Sequence, residues 1–159
     1  MTTAPRNQWL VLAGLILLCL AVGALGGAVT SGAVESWYRP LAKPAWTPPG
    51  WLFAPVWTVL YLAMAVAAWL VWKTRDRIAP AMVLFFSQLA LNFAWSFLFF
   101  GARSPWLGLV DIAFLWLAVL LTMLVFFVKS RLAGWLFVPY LAWVSFATLL
   151  NAAIWQLNG

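Results

Sequence analysis

The sequence predicts an all-α membrane protein, a bundle of five transmembrane helices that forms a single domain over residues 1–159. Three observations predict this fold: 67% of the residues are hydrophobic, only 8% are charged, and the mean hydropathy is +1.01. Soluble domains are about half apolar and about a quarter charged, and a domain of this length leaves roughly 30% of its unfolded surface exposed. The composition therefore excludes a soluble enzyme, a disordered chain and a disulfide scaffold.

Five apolar runs are long enough to cross a bilayer, because each exceeds roughly 18 residues. Helices are favoured over strands, since the runs do not alternate and lipid offers the backbone no hydrogen-bond partner. The first run follows Arg6, as a signal peptide would, but it is longer than the usual signal core of about 7–15 residues. The helices are predicted at residues 9–29, 51–72, 78–102, 104–128 and 132–157.

The connection between the first two helices, residues 30–50, is much longer than the other three. It contains four of the nine prolines and the aromatic residues Trp37, Tyr38 and Trp46. Loops of this length are often functional, and these aromatic side chains need a surface to pack against. We therefore expect a lid that covers one end of the bundle.

The basic residues lie at the ends of the predicted helices. They form no continuous stripe, so the net charge of +6 predicts no nucleic-acid partner. Six of the nine lie on the side of the N-terminus, and Arg39, Lys43 and Arg103 lie on the lid side. If the membrane is a cytoplasmic one, this asymmetry puts the N-terminus on the cytoplasmic side and the long first loop outside. With no histidine and one cysteine, Cys19, no metal site is expected.

Polar residues recur at helical spacing within the third apolar run. Gln88, Asn92 and Ser96 are four residues apart and share one face of the helix, with Trp95 beside them. Amides in hydrocarbon are costly unless they are paired, so this face should point into the bundle. Two interpretations remain open: interhelical hydrogen bonds of about 0.6–2 kcal/mol each, or the few polar groups of a ligand pocket.

Aromatic residues on the second and fifth runs would line such a pocket. Trp57 and Tyr61 are four residues apart and share a face. The fifth run repeats the four-residue spacing with Pro139, Trp143, Ala147 and Asn151. Because proline lacks a backbone N–H, Pro139 predicts a kink that opens space beside Trp143.

Asp111 is the only acidic residue within a predicted span. Carboxylates inside a membrane are rare and indicate function by default, here a proton relay with Thr122 on the same stripe. Asp111 also lies near Arg103 in sequence, which predicts a structural ion pair or a snorkelling side chain instead. Both interpretations remain open.

The connection between the first two helices carries a distinctive string. It reads W-Y-R-P-L-A-K-P-A-W-T-P-P-G from Trp37 to Gly50, and P-V-W-T-V-L-Y follows up to Tyr61. Further matching stretches are F-F-G at 99–101, V-D at 110–111 and P-Y-L-A-W at 139–143, together with Gln88, Asn92, Trp95 and Asn151. This pattern closely resembles the TspO/MBR family of tryptophan-rich sensory proteins and translocator proteins, formerly called peripheral-type benzodiazepine receptors.

The resemblance implies a five-helix bundle, usually dimeric, whose ligand cavity is capped by the first loop. Members of the family bind porphyrins such as protoporphyrin IX and haem, isoquinoline and benzodiazepine drugs and, in animals, cholesterol. By position, and with Gln88 added from the polar face, the predicted ligand-binding residues are Tyr38, Pro48, Trp57, Tyr61, Gln88, Asn92, Trp95, Trp143 and Ala147. Arg39 and Lys43 at the cavity mouth would pair with the propionates of a porphyrin.

We therefore expect a membrane receptor or sensor that binds tetrapyrroles for sensing, sequestration or transport and requires no cofactor. The alternative is a light-dependent porphyrin-degrading enzyme, because Trp57 and Trp143 match two tryptophans implicated in that reaction in some bacterial members. A transporter of sterols or other small molecules is a third interpretation. Sterol binding is the weaker expectation, because residues 149–156 lack the tyrosine and the basic residue of the animal cholesterol motif.

The expected assembly is a homodimer in the lipid bilayer of a bacterial membrane, and the residues do not distinguish an inner from an outer membrane. Two pairs of small residues allow close helix approach, Gly23 with Gly27 on the first helix and Ala90 with Ala94 on the third. The resemblance favours the third helix as the interface.

Overall fold

The computed structural model describes residues 6–159 and consists of five long helices joined by one longer and three short connections. All five helices are long and apolar enough to cross a membrane, which confirms the predicted fold class and an integral membrane protein. They are α1 (Arg6–Ala33), α2 (Phe53–Thr74), α3 (Ile78–Ser96), α4 (Pro105–Lys129) and α5 (Arg131–Asn158). A π-helical turn extends α1 over Val34–Tyr38, another extends α3 over Phe97–Gly101, and a 3₁₀ turn at Gly50–Leu52 precedes α2.

The first helix continues beyond the predicted end at Val29, so the predicted boundary of the lid is wrong. The backbone N–H of Arg39 donates to the Val34 carbonyl at 2.8 Å, and Arg39 forms an ion pair with Glu35 at 2.6 Å. Polar side chains lie on this last turn because a helix can continue past the apolar run, into water, with its backbone still hydrogen-bonded. The connection is therefore residues 39–49, and Trp37 and Tyr38 belong to the helix rather than to the loop.

Helix neighbours follow the order α1, α2, α5, α4 and α3 around the bundle, and α1 also contacts α3. The interior between them combines large and small side chains. Phe85, Phe126 and Phe137 are fully buried, and α2 contributes the fully buried Ala65 and Ala68. Small residues allow helix backbones to approach closely in a membrane, so α2 lies close to its neighbours.

Glycines on α1 serve packing within the chain. A Cβ at Gly23 would lie 2.6 Å from Cε2 of Tyr61, and one at Gly26 would lie 2.9 Å from Oγ of Ser96. Gly27, by contrast, faces open space. Gly23 is therefore needed for the contact between α1 and α2, and it is not free for a dimer interface with Gly27.

The short connections turn the chain sharply. Arg75, Arg77 and Arg103 have positive φ angles of 55°, 41° and 53°, a left-handed conformation that is uncommon for residues other than glycine. Ser104 and Ser130 then start α4 and α5, because each hydroxyl accepts a hydrogen bond from a backbone N–H in the first turn. These caps fix where the last two helices begin.

Candidate functional site

An aromatic cluster lies between α2 and α5, in the half of the bundle nearer the longer connection. The Trp57 ring centroid is 5.5 Å from that of Tyr61, 6.2 Å from that of Tyr140 and 6.5 Å from that of Trp143. Phe53 packs edge to face on Trp143, with ring centroids 5.7 Å apart. Trp57 and Tyr61, which the four-residue spacing placed on one face, are thus in contact, and Tyr140 and Trp143 of α5 complete the cluster.

Behind these rings, a chain of buried hydrogen bonds joins α2, α3 and α5. Tyr61 Oη donates to Asn92 Oδ1 at 2.6 Å, and Asn92 Nδ2 donates to Tyr140 Oη at 2.7 Å. Tyr140 Oη donates in turn to Gln88 Oε1 at 2.9 Å, and Gln88 Nε2 donates to Met64 Sδ at 3.7 Å. The polar face of α3 therefore forms interhelical hydrogen bonds in this structure.

Trp95 belongs to a different polar group, nearer the end of α3. Its Nε1 donates to Asn151 Oδ1 at 3.1 Å, and Asn151 Nδ2 donates to the Pro105 carbonyl at 2.7 Å. A Cβ at Gly108 would lie 3.0 Å from that Asn151 oxygen, so glycine permits the close approach of α5 to α4. Trp95 and Asn151 thus connect the ends of three helices.

A groove of about 730 Å³ lies beside the aromatic cluster, between α2 and α5 on the outer face of the bundle. Its walls are apolar and include Trp51, Pro55, Pro139, Trp143 and Phe146. Because both helices span the membrane, this face meets the acyl chains of lipids. Trp143 is the side chain that belongs both to the groove and to the inner cluster.

The connection 39–49 is attached to the bundle at several points. Lys43 Nζ donates to the carbonyls of Tyr38, Arg39 and Leu41 at 2.8–2.9 Å. Asn158, at the end of α5, exchanges two hydrogen bonds with the backbone of Ala42, at 3.0 and 2.9 Å. These hydrogen bonds give the segment a defined position against the end of the bundle.

One side chain of this connection reaches the wall of the groove. Trp46 packs edge to face on Phe146, with ring centroids 5.7 Å apart. The connection thus lies against the groove at Phe146, while its anchor to Asn158 lies further along α5.

The predicted ligand-binding residues fall into two groups. Trp57, Tyr61, Gln88, Asn92 and Trp143 meet at the cluster and its hydrogen-bond chain. Tyr38 packs instead on Phe99 and Phe100 at the end of α3, and Trp95 stacks on Phe99 with ring centroids 5.0 Å apart. Ala147 is half-buried against the core. Pro48 is half-buried in the connection 39–49. The structure therefore brings together the first group and separates Tyr38 and Trp95 from it.

Tyr140 is the main residue that the spacing argument missed. It is fully buried and bridges Asn92 to Gln88. A tyrosine hydroxyl buried in hydrocarbon needs a hydrogen-bond partner, and the neighbouring amides on α3 were the available ones. That requirement was the sequence signal for Tyr140, but spacing within one helix does not reveal a partner on another.

Asp111 is buried on α4, with 7% of its surface exposed. Within residues 6–159 its Oδ2 atom is buried without a hydrogen-bond partner, and the two ion pairs join other residues, Arg39 to Glu35 and Lys129 to Asp76. The expected ion pair with Arg103 is therefore wrong. Thr122 donates to the Ala118 carbonyl at 2.7 Å, and a proton relay between the two residues stays a prediction.

Comparison with known proteins covers nearly the whole chain. The sequence model of the TspO/MBR family matches residues 15–156. A tryptophan-rich protein TspO of Chlorobaculum tepidum is 50% identical over 96% of this chain and 99% of its own length, and one of Archaeoglobus fulgidus is 44% identical over 90% and 94%. The translocator protein of Homo sapiens is 41% identical over 84% of this chain and 82% of its own length. The family match, residues 15–156, spans the aromatic cluster and the groove.

Proposed function

Because the chain belongs to the TspO/MBR family of membrane sensors and translocators, we propose that it is a receptor for tetrapyrroles such as protoporphyrin IX or haem. The ligand would bind at the groove between α2 and α5 and contact the aromatic cluster through Trp143. The observation that best supports this proposal is the double position of Trp143, which lines the groove and also touches Trp57. A ligand in the groove would therefore contact the cluster directly.

The volume and the chemistry of the groove suit an apolar aromatic ligand. Its volume of about 730 Å³ lies within the usual range for ligand pockets, about 300–1,000 Å³. Tryptophan and tyrosine rings stack on aromatic ligands with a gain of about 0.5–1.5 kcal/mol beyond the burial of apolar area. The hydrogen-bond chain behind Tyr61 holds these rings in fixed positions, so they are organised before the ligand arrives.

Metal-free porphyrin should bind about as well as haem. The chain contains no histidine, and Cys19 is fully buried on α1, away from the groove between α2 and α5. Strong axial ligation of haem iron normally requires one of these side chains, a tyrosine or a methionine, and none of these types lines the groove. The macrocycle itself, rather than its iron, would supply the binding energy.

The propionates of a porphyrin would need cationic partners at the edge of the site. Arg39 and Lys43 carry the right charge, but Arg39 pairs with Glu35 and Lys43 with three backbone carbonyls. A propionate would have to replace these contacts. Binding through either residue would therefore change the position of the connection 39–49.

Titration of the purified protein with protoporphyrin IX and with haem, followed by quenching of tryptophan fluorescence, tests the proposal. Trp143→Ala should weaken binding of both ligands by about 1–3 kcal/mol, the usual effect of truncating a buried aromatic contact. Trp135→Ala is the matched control, because Trp135 lies on the same helix and is 63% exposed. Unchanged affinity in Trp143→Ala would overturn the proposed site.

Light-dependent oxidation of the bound porphyrin by dioxygen, with the macrocycle as photosensitiser, is the second candidate function. It is favoured by the perpendicular contact of Trp57 with Trp143, at 6.5 Å. Trp143 lines the groove, and Trp57 is a second oxidisable ring in contact with it. The absorbance of bound protoporphyrin, followed in light and in darkness, separates the two functions. Loss of absorbance in light that is slower in Trp57→Phe would favour the enzyme, whereas equal loss with and without protein would rule it out.

A further inference from the structure

A second cavity, of about 320 Å³, lies where the last turn of the extended α1, the start of α4 and the end of α5 meet. Its walls include Trp37, Arg103, Ser104, Trp106 and Trp155. It shares no lining residue with the groove between α2 and α5. The composition also differs, because this cavity combines aromatic walls with a cation and a hydroxyl group.

Among the described residues, Arg103 differs from the other two basic residues at this end of the bundle, because its side chain has no partner within residues 6–159. Arg39 is paired with Glu35, and Lys43 donates to three carbonyls. Within residues 6–159, by contrast, the Arg103 side chain takes part in no ion pair or hydrogen bond. A cation on the wall of a cavity, without an anion from its own chain, is available to an anionic ligand.

Ser104 supplies a second donor next to Arg103. Its Oγ accepts a hydrogen bond from the Leu107 N–H at 3.2 Å, and its own O–H has no acceptor within the described part of the chain. A serine hydroxyl donates one hydrogen bond and accepts others. The two adjacent residues therefore offer a guanidinium and a hydroxyl to one group of oxygen atoms.

Two tryptophans place the cavity at the edge of the membrane. Trp106 lies in the first turn of α4 and Trp155 in the last turns of α5, and their rings are 5.1 Å apart. Both residues are partly exposed, Trp106 by 50% and Trp155 by 36%. Tryptophans at the ends of spanning helices mark the level of the lipid headgroups, and this is the level at which lipid phosphates lie.

We propose that this cavity binds the phosphate of an anionic phospholipid, through the Arg103 guanidinium and the Ser104 hydroxyl. Arginine is suited to this role, because its planar fork of N–H groups pairs with two phosphate oxygens at once. The Trp106 and Trp155 rings would contact the glycerol and the upper acyl chains. The lipid would thereby connect the start of α4 to the end of α5.

The test measures the thermal unfolding midpoint of the full chain in a neutral detergent. The purification tag is placed on the N-terminus, because Gly159 at the other end of the chain lines the cavity. Phosphatidylglycerol should raise the midpoint, whereas diacylglycerol with the same acyl chains and inorganic phosphate alone should not. Arg103→Gln should weaken phosphatidylglycerol binding about tenfold, as expected for loss of a charge-assisted hydrogen bond, while Arg103→Lys should retain part of it. Arg131→Gln is the matched control, because Arg131 is exposed at the start of α5, at the opposite end of the bundle from this cavity, and it should bind the lipid normally.

Arg103→Gly separates lipid binding from folding. Arg103 has a φ of 53°, a conformation that glycine adopts without strain, so the glycine variant should unfold at the same or a higher temperature without lipid. The same variant should lose the response to phosphatidylglycerol. An equal lipid response in Arg103→Gln, Arg103→Gly and the unmodified chain would overturn the proposal, and an equal response to inorganic phosphate would overturn the choice of a lipid.

Discussion

The two sides of Trp143 differ in chemistry. On the inner side, Tyr61, Asn92, Tyr140 and Gln88 form a buried chain in which each donor finds an acceptor on another helix. On the outer side, the groove between α2 and α5 has walls that are almost entirely apolar. The difference indicates a division of roles: hydrogen bonds fix the positions of the rings, and the apolar surface is left for contact with a ligand.

The largest effect should come from breaking the inner side. Asn92→Leu removes the acceptor of Tyr61 and the donor to Tyr140, so two buried hydroxyl groups lose a partner. An unsatisfied buried polar group costs about 1–3 kcal/mol, and we expect the free energy of unfolding to fall by about 2–4 kcal/mol. Equilibrium unfolding in detergent, followed by circular dichroism, measures this loss.

Ser87→Leu is the control for that substitution, because Ser87 lies on the same helix, is exposed, and forms no side-chain hydrogen bond within residues 6–159. Its unfolding free energy should stay within about 0.5 kcal/mol of the unmodified chain. If Asn92→Leu were equally stable, the inner chain of hydrogen bonds would not be what holds the rings in place.

Filling the outer side should affect ligand binding and leave stability nearly unchanged. Ala142 lines the groove and is exposed, so Ala142→Phe would occupy part of its volume. We expect protoporphyrin to bind about tenfold more weakly, a difference of about 1.4 kcal/mol. Fluorescence titration measures the affinity, and Ala113→Phe, at an exposed position on α4, should bind normally.

A smaller effect is expected where the connection 39–49 meets the groove. Lys43→Gln removes the ammonium that bonds to three carbonyls, so the segment should become more accessible to proteases. Because Trp46 packs on Phe146 at the groove, affinity for porphyrin and for an uncharged drug-like ligand should fall by the same factor, about two- to fivefold. That range corresponds to about 0.4–1 kcal/mol.

The two ligands distinguish the roles of Lys43. A loss confined to the porphyrin, and smaller at high salt, would instead assign Lys43 to the propionates. Unchanged proteolysis together with unchanged affinity would contradict both roles.

The smallest effect on the folded monomer is expected at the predicted dimer interface. Ala90 is exposed and Ala94 is half-buried on α3, on a different helix from the groove. Ala94→Leu should convert dimers to monomers in mild detergent, because the larger side chain prevents close helix approach, while porphyrin affinity stays the same. Light scattering of the detergent complex measures the mass, and a dimer that survives would contradict an interface at Ala94.

The positions of the helices could be predicted because the thickness of the bilayer sets how long the apolar stretch of a spanning helix must be. The predicted ranges 104–128 and 132–157 end within one residue of α4 and α5. The end of α1 was missed, because Glu35 and Ser36 are polar and the hydropathy of the chain falls there. A helix needs apolar residues only while it lies in lipid, so composition does not indicate where it stops in water.

The site was predictable only along single helices. Four-residue spacing correctly paired Trp57 with Tyr61 and put Gln88 and Asn92 on one buried face. It did not reveal that Tyr140 joins those amides, nor that Lys43 bonds to its own loop. These contacts depend on how helices lie beside each other and how the chain folds back, and neither is encoded in a periodic pattern.

The hydrogen bonds between Asn158 and Ala42 couple the position of α5 inside the bilayer to the position of the connection 39–49 outside it. Trp143 and Asn158 lie on the same continuous helix, α5, one inside the bilayer and one at its edge. A sideways displacement of α5 would move both residues, and the connection 39–49 would follow because Ala42 is bonded to Asn158 through two hydrogen bonds. Occupancy of the groove would then change the position of the connection at the water-exposed surface.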